Sequence, residues 1–326
     1  MWVYFTHSIV LKCNCLLWGA MKRDVISMLD VEDDIEEIID FAIELKRKAK
    51  SGESIEYLKG KNLAMIFEKS STRTRVSFEV AMEKLGGHAL FLSKNDIQLG
   101  RGETIEDTAI VLSRYVDAIM YRAYSHKNMV ELAENSTVPV INGLDDKEHP
   151  CQVVADFMTI KEKKGKLKGL NFVYIGDGDN NMAHSYLLGC AITGMNITII
   201  APKNYWPDER YVEKARELAK GAHVTVSDSM DAVTKDTDVI ATDTWVSMGD
   251  ESEKEKRIKE FQGYTIDESV MKRAKADAIF LHCLPAYYGY EVTKEVAYGH
   301  HSVIFDEAEN RLWAQAALLV KLLRGR

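Results

Sequence analysis

Apolar positions recur with a helical period between residues 31 and 50. Ile35, Ile38, Ile39, Ala42 and Leu45 fall on one face, and this spacing predicts an amphipathic helix. Asp33, Asp34 and Glu36 lie early and Lys46, Arg47 and Lys48 late, as the helix dipole favours, and Ser51-Gly52 ends it. The period then changes. Residues 62–67 form a short unbroken apolar run, the mark of a strand buried on both faces, and residues 68–74 a polar turn. Residues 76–85 read as a helix stopped by Gly86-Gly87, and residues 88–92, 118–121 and 138–141 as further strands.

After a helical stretch beyond His149 the alternation resumes. Strands are predicted at residues 172–175, 197–201, 223–226, 239–242 and 278–281, and helices at 182–194, 211–220 and 311–323. Strands alternating with helices imply parallel sheets covered on both faces. The fold class is therefore α/β: two doubly wound parallel-sheet domains. Residues 250–259 are dense in charge and lack apolar anchors, and read as a surface loop.

Composition narrows the class. At 326 residues the chain has room for two domains. A net charge of −8 without a basic stripe argues against nucleic acid, though a few clustered arginines can still form an anion site. No apolar run is long enough to span a bilayer. The five cysteines are irregularly spaced, which suggests reduced thiols and a cytoplasmic setting. Residues 1–20 carry no charge before Lys12, unlike a secretory signal, and Met21-Lys22-Arg23-Asp24 makes a more natural beginning. The expectation is that translation starts at Met21 and that residues 1–20 are a non-native or disordered extension.

Candidate chemistry sits where apolar runs meet polar turns. Ser71-Thr72-Arg73-Thr74-Arg75 follows a strand and enters a helix. Free amides of a first turn, hydroxyls and a guanidinium make a phosphate cradle there without a P-loop's glycines, and Lys69 adds charge. Arg122 ends a strand, where open α/β sheets bind ligands. In His149-Pro150-Cys151-Gln152 the proline suits a first helical position, placing His149 at the dipole's positive end, where a neutral imidazole is favoured. Gly176-Asp177-Gly178-Asp179-Asn180-Asn181 breaks the dinucleotide fingerprint, because Asn181 stands at the third glycine position; its asparagines suit a small zwitterion. Asp243 ends a strand and can face a substrate ammonium; Ser247-Met248-Gly249 follows. His282-Cys283-Leu284-Pro285 ends another strand. Cys283 reads as a polar contact rather than a nucleophile, since His282 should point to the opposite face. No ligand spacing supports a metal site.

These strings, in this order, resemble the carbamoyltransferase family over residues 24–326, and Asp243-Thr244-Trp245-Val246-Ser247-Met248-Gly249 narrows the resemblance to its ornithine branch. Aspartate and putrescine enzymes of the family lack the Ser-Met-Gly loop. The resemblance implies that residues 21–152, joined by a C-terminal helix at 311–326, bind carbamoyl phosphate, and that residues 153–310 bind ornithine. It implies carbamoyl-phosphate contacts from Ser71, Thr72, Arg73, Thr74, Gln98, Arg122, His149, Gln152, Cys283, Leu284 and Arg311, and ornithine contacts from Asn181, Asp243, Ser247 and Met248. Arg73, Arg122, His149 and Cys283 would be the catalytic residues. Gln98 would reach a neighbouring subunit's site, so a homotrimer or a multiple of trimers is implied. The expected reaction is carbamoyl transfer to the δ-amine of ornithine, without metal or organic cofactor, in arginine biosynthesis or catabolism. The rivals are an anion sensor without turnover and a carbamoyltransferase for another amine.

Overall fold

The structure, a computed structural model, describes residues 22–219, 221–246 and 251–324. The expected extension at residues 1–20 and the candidates Ser247 and Met248 lie outside the described residues. In the first half, helix α1 (Ile35–Lys50), strand β1 (Asn62–Phe67), helix α2 (Thr72–Lys84), strand β2 (His88–Ser93), helix α3 (Ile105–Leu112), strand β3 (Ala118–Arg122), helix α4 (His126–Asn135) and strand β4 (Val140–Leu144) follow in turn. Helix α5 (Pro150–Lys164) leads into the second half. There the order is β5 (Asn171–Ile175), α6 (Asn181–Thr193), β6 (Asn196–Ile200), α7 (Glu209–Leu218), β7 (Val224–Ser227), β8 (Val239–Thr242), α8 (Lys254–Glu260), α9 (Glu268–Met271), β9 (Ile279–His282), α10 (Lys294–Ala297) and α11 (Ile304–Arg324).

The strands form two wholly parallel sheets, ordered β2-β1-β3-β4 and β7-β6-β5-β8-β9. Both are doubly wound. The order reverses between β1 and β3 in one sheet and between β5 and β8 in the other. Such switch points open a crevice beyond the strands' carboxyl ends. Every position of β3, β8 and β9 is buried, as the unbroken apolar runs predict for strands covered on both faces.

Two long helices join the halves. The first eleven residues of α5, Pro150 to Ile160, are all buried. Helix α11 lies against α1, α2 and α5, and its first turns meet β9. One apolar core runs through all of these, taking in Leu45, Phe78, Phe157, Leu187, Leu281 and Leu319.

Three expectations change. Helix α2 starts at Thr72, not residue 76, because Ser71 caps it: the Ser71 Oγ accepts a hydrogen bond from Thr74 N–H at 3.2 Å. Helix α11 starts at Ile304, so Arg311 stands inside it rather than at its head. Residues 254–260 form a helix rather than a loop. Its surface is solvated, but Arg257 fastens it by donating to the buried Asp177 at 2.5 Å and to the Trp245 carbonyl at 3.2 Å. A charge-only pattern did not reveal that anchor, which lies 80 residues away in sequence.

Candidate active site

The cleft is assembled from strand ends. Strand β1 delivers the chain to the cap of α2, β3 ends on Arg122, and β4 leads to His149. From the other sheet, β5 leads to Asn181, β8 to Asp243, and β9 to Cys283 and Leu284.

Thr74 is the centre of the first-sheet side. Its buried Oγ1 accepts from Arg122 Nη1 at 3.4 Å and from Arg311 Nη2 at 3.2 Å. The α2 cap leaves the amides of Thr72 and Arg73 outside the helical ladder. Arg73 Nη2 donates to the Leu284 carbonyl on the opposite side of the cleft. Among the described residues Arg122 donates otherwise only to the Gly143 carbonyl, at 3.4 Å, and its buried Nε has no partner there. Burial, followed by Arg311 and Arg73, depresses the Arg122 guanidinium to about 9. Burial also lowers that of Arg311. Three mutually repelling cations make a local site of strong positive potential on an acidic protein, and an anion among them would relieve that repulsion.

His149 caps α5, with Pro150 in the first helical position. Its backbone N–H donates to Ser185 Oγ at 2.8 Å, while its buried ring Nδ1 has no partner among the described residues. Burial first, then Arg311, Arg122 and Arg73, hold its pKa well below the ordinary value, so the imidazole is neutral. The neutral state agrees with the sequence argument, but burial and the arginines are its causes here. Gln152 follows on the first turn of α5, and its Oε1 accepts from Arg311 Nη1 at 2.6 Å.

On the second-sheet side, Asp243 Oδ1 accepts from Thr244 N–H at 2.8 Å and from Cys283 Sγ at 3.2 Å. Burial and the Asp243 carboxylate push the Cys283 thiol well above its ordinary pKa. A protonated thiol that donates to a carboxylate is a contact, not an activated nucleophile. His282 departs from the expected opposite-face orientation. The chain turns at Leu284, with φ 61°, and the ring folds back so that Nδ1 accepts the Leu284 N–H at 2.9 Å. That fixes the proton on Nε2, which meets Glu291 Oε1 at 3.2 Å. The ring therefore has no lone pair to serve Cys283 as a base. Ligand atoms of Asp243, His282 and Cys283 lie within 4.8 Å of one another, yet the His282 Nδ1 and the thiol proton are already engaged in these bonds.

Asn181, half-buried at the head of α6, donates from Nδ2 to the Asp145 carbonyl at 2.9 Å. Its neighbour Asn180 is spent as the helix cap. Gln98 stands apart, exposed on the single turn Gln98–Arg101, and shares no hydrogen bond with the described cleft residues. The sequence reading missed Asp156 and Glu307, two wholly buried carboxyls that hold Gln152 from behind. The available signal was a lone acid among apolar residues, Asp156 between Ala155 and Phe157, one helical turn beyond Gln152.

Paired doubly wound sheets whose switch points meet over clustered arginines, a neutral histidine and a facing carboxylate define a two-domain α/β transferase. Comparison with known proteins agrees. The family description "Aspartate/ornithine carbamoyltransferase, carbamoyl-P binding domain" matches residues 23–162, and "Aspartate/ornithine carbamoyltransferase, Asp/Orn binding domain" matches residues 168–322. The catabolic ornithine carbamoyltransferase of Thermoplasma acidophilum is 55% identical, over 93% of this chain and 99% of its own length. That of Methanosarcina acetivorans is 55% identical, over 93% and 100%. The solved ornithine carbamoyltransferase of Pyrococcus furiosus superposes with a TM-score of 0.89 at 50% identity, covering 93% of this chain and 97% of that one. The chain belongs to the aspartate/ornithine carbamoyltransferase family.

Proposed function

We propose that this enzyme transfers the carbamoyl group of carbamoyl phosphate to the δ-amine of L-ornithine, giving L-citrulline and phosphate, in arginine biosynthesis or catabolism. The observation that carries the reading is the convergence of Arg73, Arg122 and Arg311 around Thr74 and neutral His149, opposite Asp243.

Residues 21–152 together with 311–326 would form the carbamoyl-phosphate domain and residues 153–310 the ornithine domain. The packing of α11 on α1 and α2 supports returning the C-terminal helix to the first domain. The phosphate would sit on the α2 cap, with Ser71, Thr72 and Arg73, and Arg73 would exchange its Leu284 partner for it. Arg122, Thr74, His149 and Arg311 would meet the carbonyl oxygen, with Gln152 and the Leu284 carbonyl nearby. Asp243 and Asn181, with Ser247 and Met248, would bind the amino-acid end of ornithine, and Cys283 would pack beside the amine.

The chemistry follows. The neutral δ-amine attacks the carbonyl carbon, and negative charge collects on the former carbonyl oxygen. Arg122 and neutral His149 can donate hydrogen bonds to it, and one such preorganised donor contributes about 2.7–4 kcal/mol. The C–O bond to phosphate then breaks, and the amine's proton leaves, with the departing phosphate as a candidate acceptor. The free amine has a pKa of about 10, so the site must bind its neutral form. The working assembly would be a trimer, or a multiple of it, in the cytoplasm, with Gln98 crossing to a neighbouring site. The exposed position of Gln98 is compatible with such a crossing.

Carbamoylation of ornithine, putrescine, lysine and aspartate, assayed side by side, tests the reading. Citrulline formation at a rate far above the other three products is expected. Preference for another amine, or binding of carbamoyl phosphate without turnover, would overturn it.

A further inference from the structure

Behind the arginine cluster lies a pair of carboxyls that the proposed chemistry does not use. Asp156 on α5 and Glu307 on α11 are both fully buried, and the side chain of Gln152 bridges them. Gln152 Nε2 lies between them, donating to Asp156 Oδ1 at 2.8 Å and to Glu307 Oε1 at 3.1 Å. Each carboxyl has one further anchor. Tyr186 Oη donates to Asp156 Oδ2 at 2.6 Å, and the His282 backbone N–H donates to Glu307 Oε2 at 2.9 Å. Burial raises the affinity of both for a proton.

The geometry has a consequence for Gln152. An amide has a donating end and an accepting end, and its two possible orientations present opposite chemistry. Here the carboxyl pair takes both hydrogens of interest at the donating end, so the carbonyl must face the other way, toward Arg311, which can only donate. Any group entering from the arginine side therefore meets an acceptor. A carbamoyl group carries an NH₂ donor beside its carbonyl; an acetyl group of the same shape carries a methyl that cannot donate.

We propose that Asp156 and Glu307 are positioning residues that set acyl-group specificity, by fixing the Gln152 amide with its carbonyl toward the substrate's NH₂. The inference rests on the cleft being a carbamoyl-phosphate site. It adds that selection of carbamoyl over other acyl groups is made by a pair of acids that never touches the ligand. A methyl in place of the NH₂ leaves the Gln152 carbonyl with its Arg311 donor but its second lone pair without one, a loss of roughly five- to 150-fold in affinity.

Two stable, unreactive probes separate the claims: phosphonoacetamide, which carries the NH₂, and acetonylphosphonate, which has a methyl in its place. Their dissociation constants are measured by calorimetry on the intact protein. The parent is expected to favour the amide at least tenfold. Asp156→Asn and Glu307→Gln keep an acceptor for Tyr186 and for the His282 N–H respectively, but loosen the hold on Gln152. Each is expected to cut the preference at least fivefold, mainly by weakening the amide probe. The effect should vanish in a Gln152→Ala background, which a merely structural role would not produce. Should neither amide variant fold, Tyr186→Phe removes one hydroxyl from the pair and is expected to lower the preference about two- to threefold. A parent that binds both probes equally, or a folded variant with unchanged preference, overturns the specificity role alone. A parent that binds neither probe overturns the reading of the site as well.

Discussion

The two sides of the cleft are held in different ways. On the first-sheet side, two arginines donate to neutral polar side chains: Arg122 and Arg311 to Thr74, and Arg311 to Gln152 and, at 3.0 Å, to Gln315. All of these residues are buried. On the second-sheet side, Asp243, Asn181 and Cys283 are half-buried and make one or two bonds each, mostly to nearby backbone or to one another. The first arrangement suits stabilisation of charge that develops during reaction, where reorganisation is costly. The second suits recognition of a flexible zwitterion, whose binding can complete the site.

This contrast can be broken most forcefully at Arg122. Arg122→Ala should lower kcat about 10²–10³-fold, the cost of one oxyanion donor. Arg73→Ala should instead raise the KM for carbamoyl phosphate. Equal effects of the two on KM alone would mean that the first side binds the ground state as well as the transition state. On the second side, Asp243→Asn should raise the KM for ornithine about 10–100-fold and leave that for carbamoyl phosphate unchanged, since it removes a charge-assisted bond of about 1.5–3 kcal/mol. Steady-state kinetics with each substrate varied would show whether the sides separate in this way.

Gln98→Ala should reduce activity about tenfold if a neighbouring chain completes the first side, the worth of about one hydrogen bond. Mixed with Arg122→Ala chains under verified subunit exchange, it should recover activity, because some hybrid sites are undamaged; no recovery counts against sharing. Cys283→Ser should retain turnover, with the KM for ornithine raised only a few-fold, about one weak hydrogen bond. Mass spectrometry after a quench with carbamoyl phosphate alone should find no adduct. A stoichiometric adduct on Cys283 would move the second side from recognition into covalent chemistry.

The last effect is on stability rather than turnover, and concerns the scaffold of the first side. Glu148, next to His149, accepts from Ser27 Oγ at 2.6 Å and from Met28 N–H at 2.8 Å. Burial nonetheless raises its carboxyl from 4.5 to about 7. A pKa raised by folding contributes stability in full below about pH 4.5, and that contribution is lost as pH climbs through about 7. Glu148→Gln should therefore be more stable than the parent at pH 8 by about 1–3 kcal/mol, with the gap closing toward pH 5. Urea midpoints across that range measure it, and a constant gap would show that ionisation of Glu148 is not the cause.

The local patterns were readable in the chain because each depends on near neighbours. The buried run 62–67 is strand β1 residue for residue, and the dipole-matched helix ending at Lys50 stands as α1. Ser71, Arg122 and His149 were picked out because a cap, a strand end and a residue before proline are all defined within a few positions. Helices α3 and α4 escaped notice; both are short, and α3 exposes Ile110 and Val111, so neither period nor polarity marked it.

What only the tertiary structure decided is who meets whom. Thr74 and Arg311 stand 237 positions apart, and Gln152 and Glu307 155 apart; no periodicity links them. The long helix α11 brings them together because its apolar face must be covered by α1, α2 and α5, and its buried polar groups must then find partners inside that packing. The folding back of His282, the burial and arginines that hold His149 neutral, and the raised proton affinity of Asp156 and Glu307 arise in the same way. Each depends on burial among specific charges, a property of the enclosed volume and not of the order of residues along the chain.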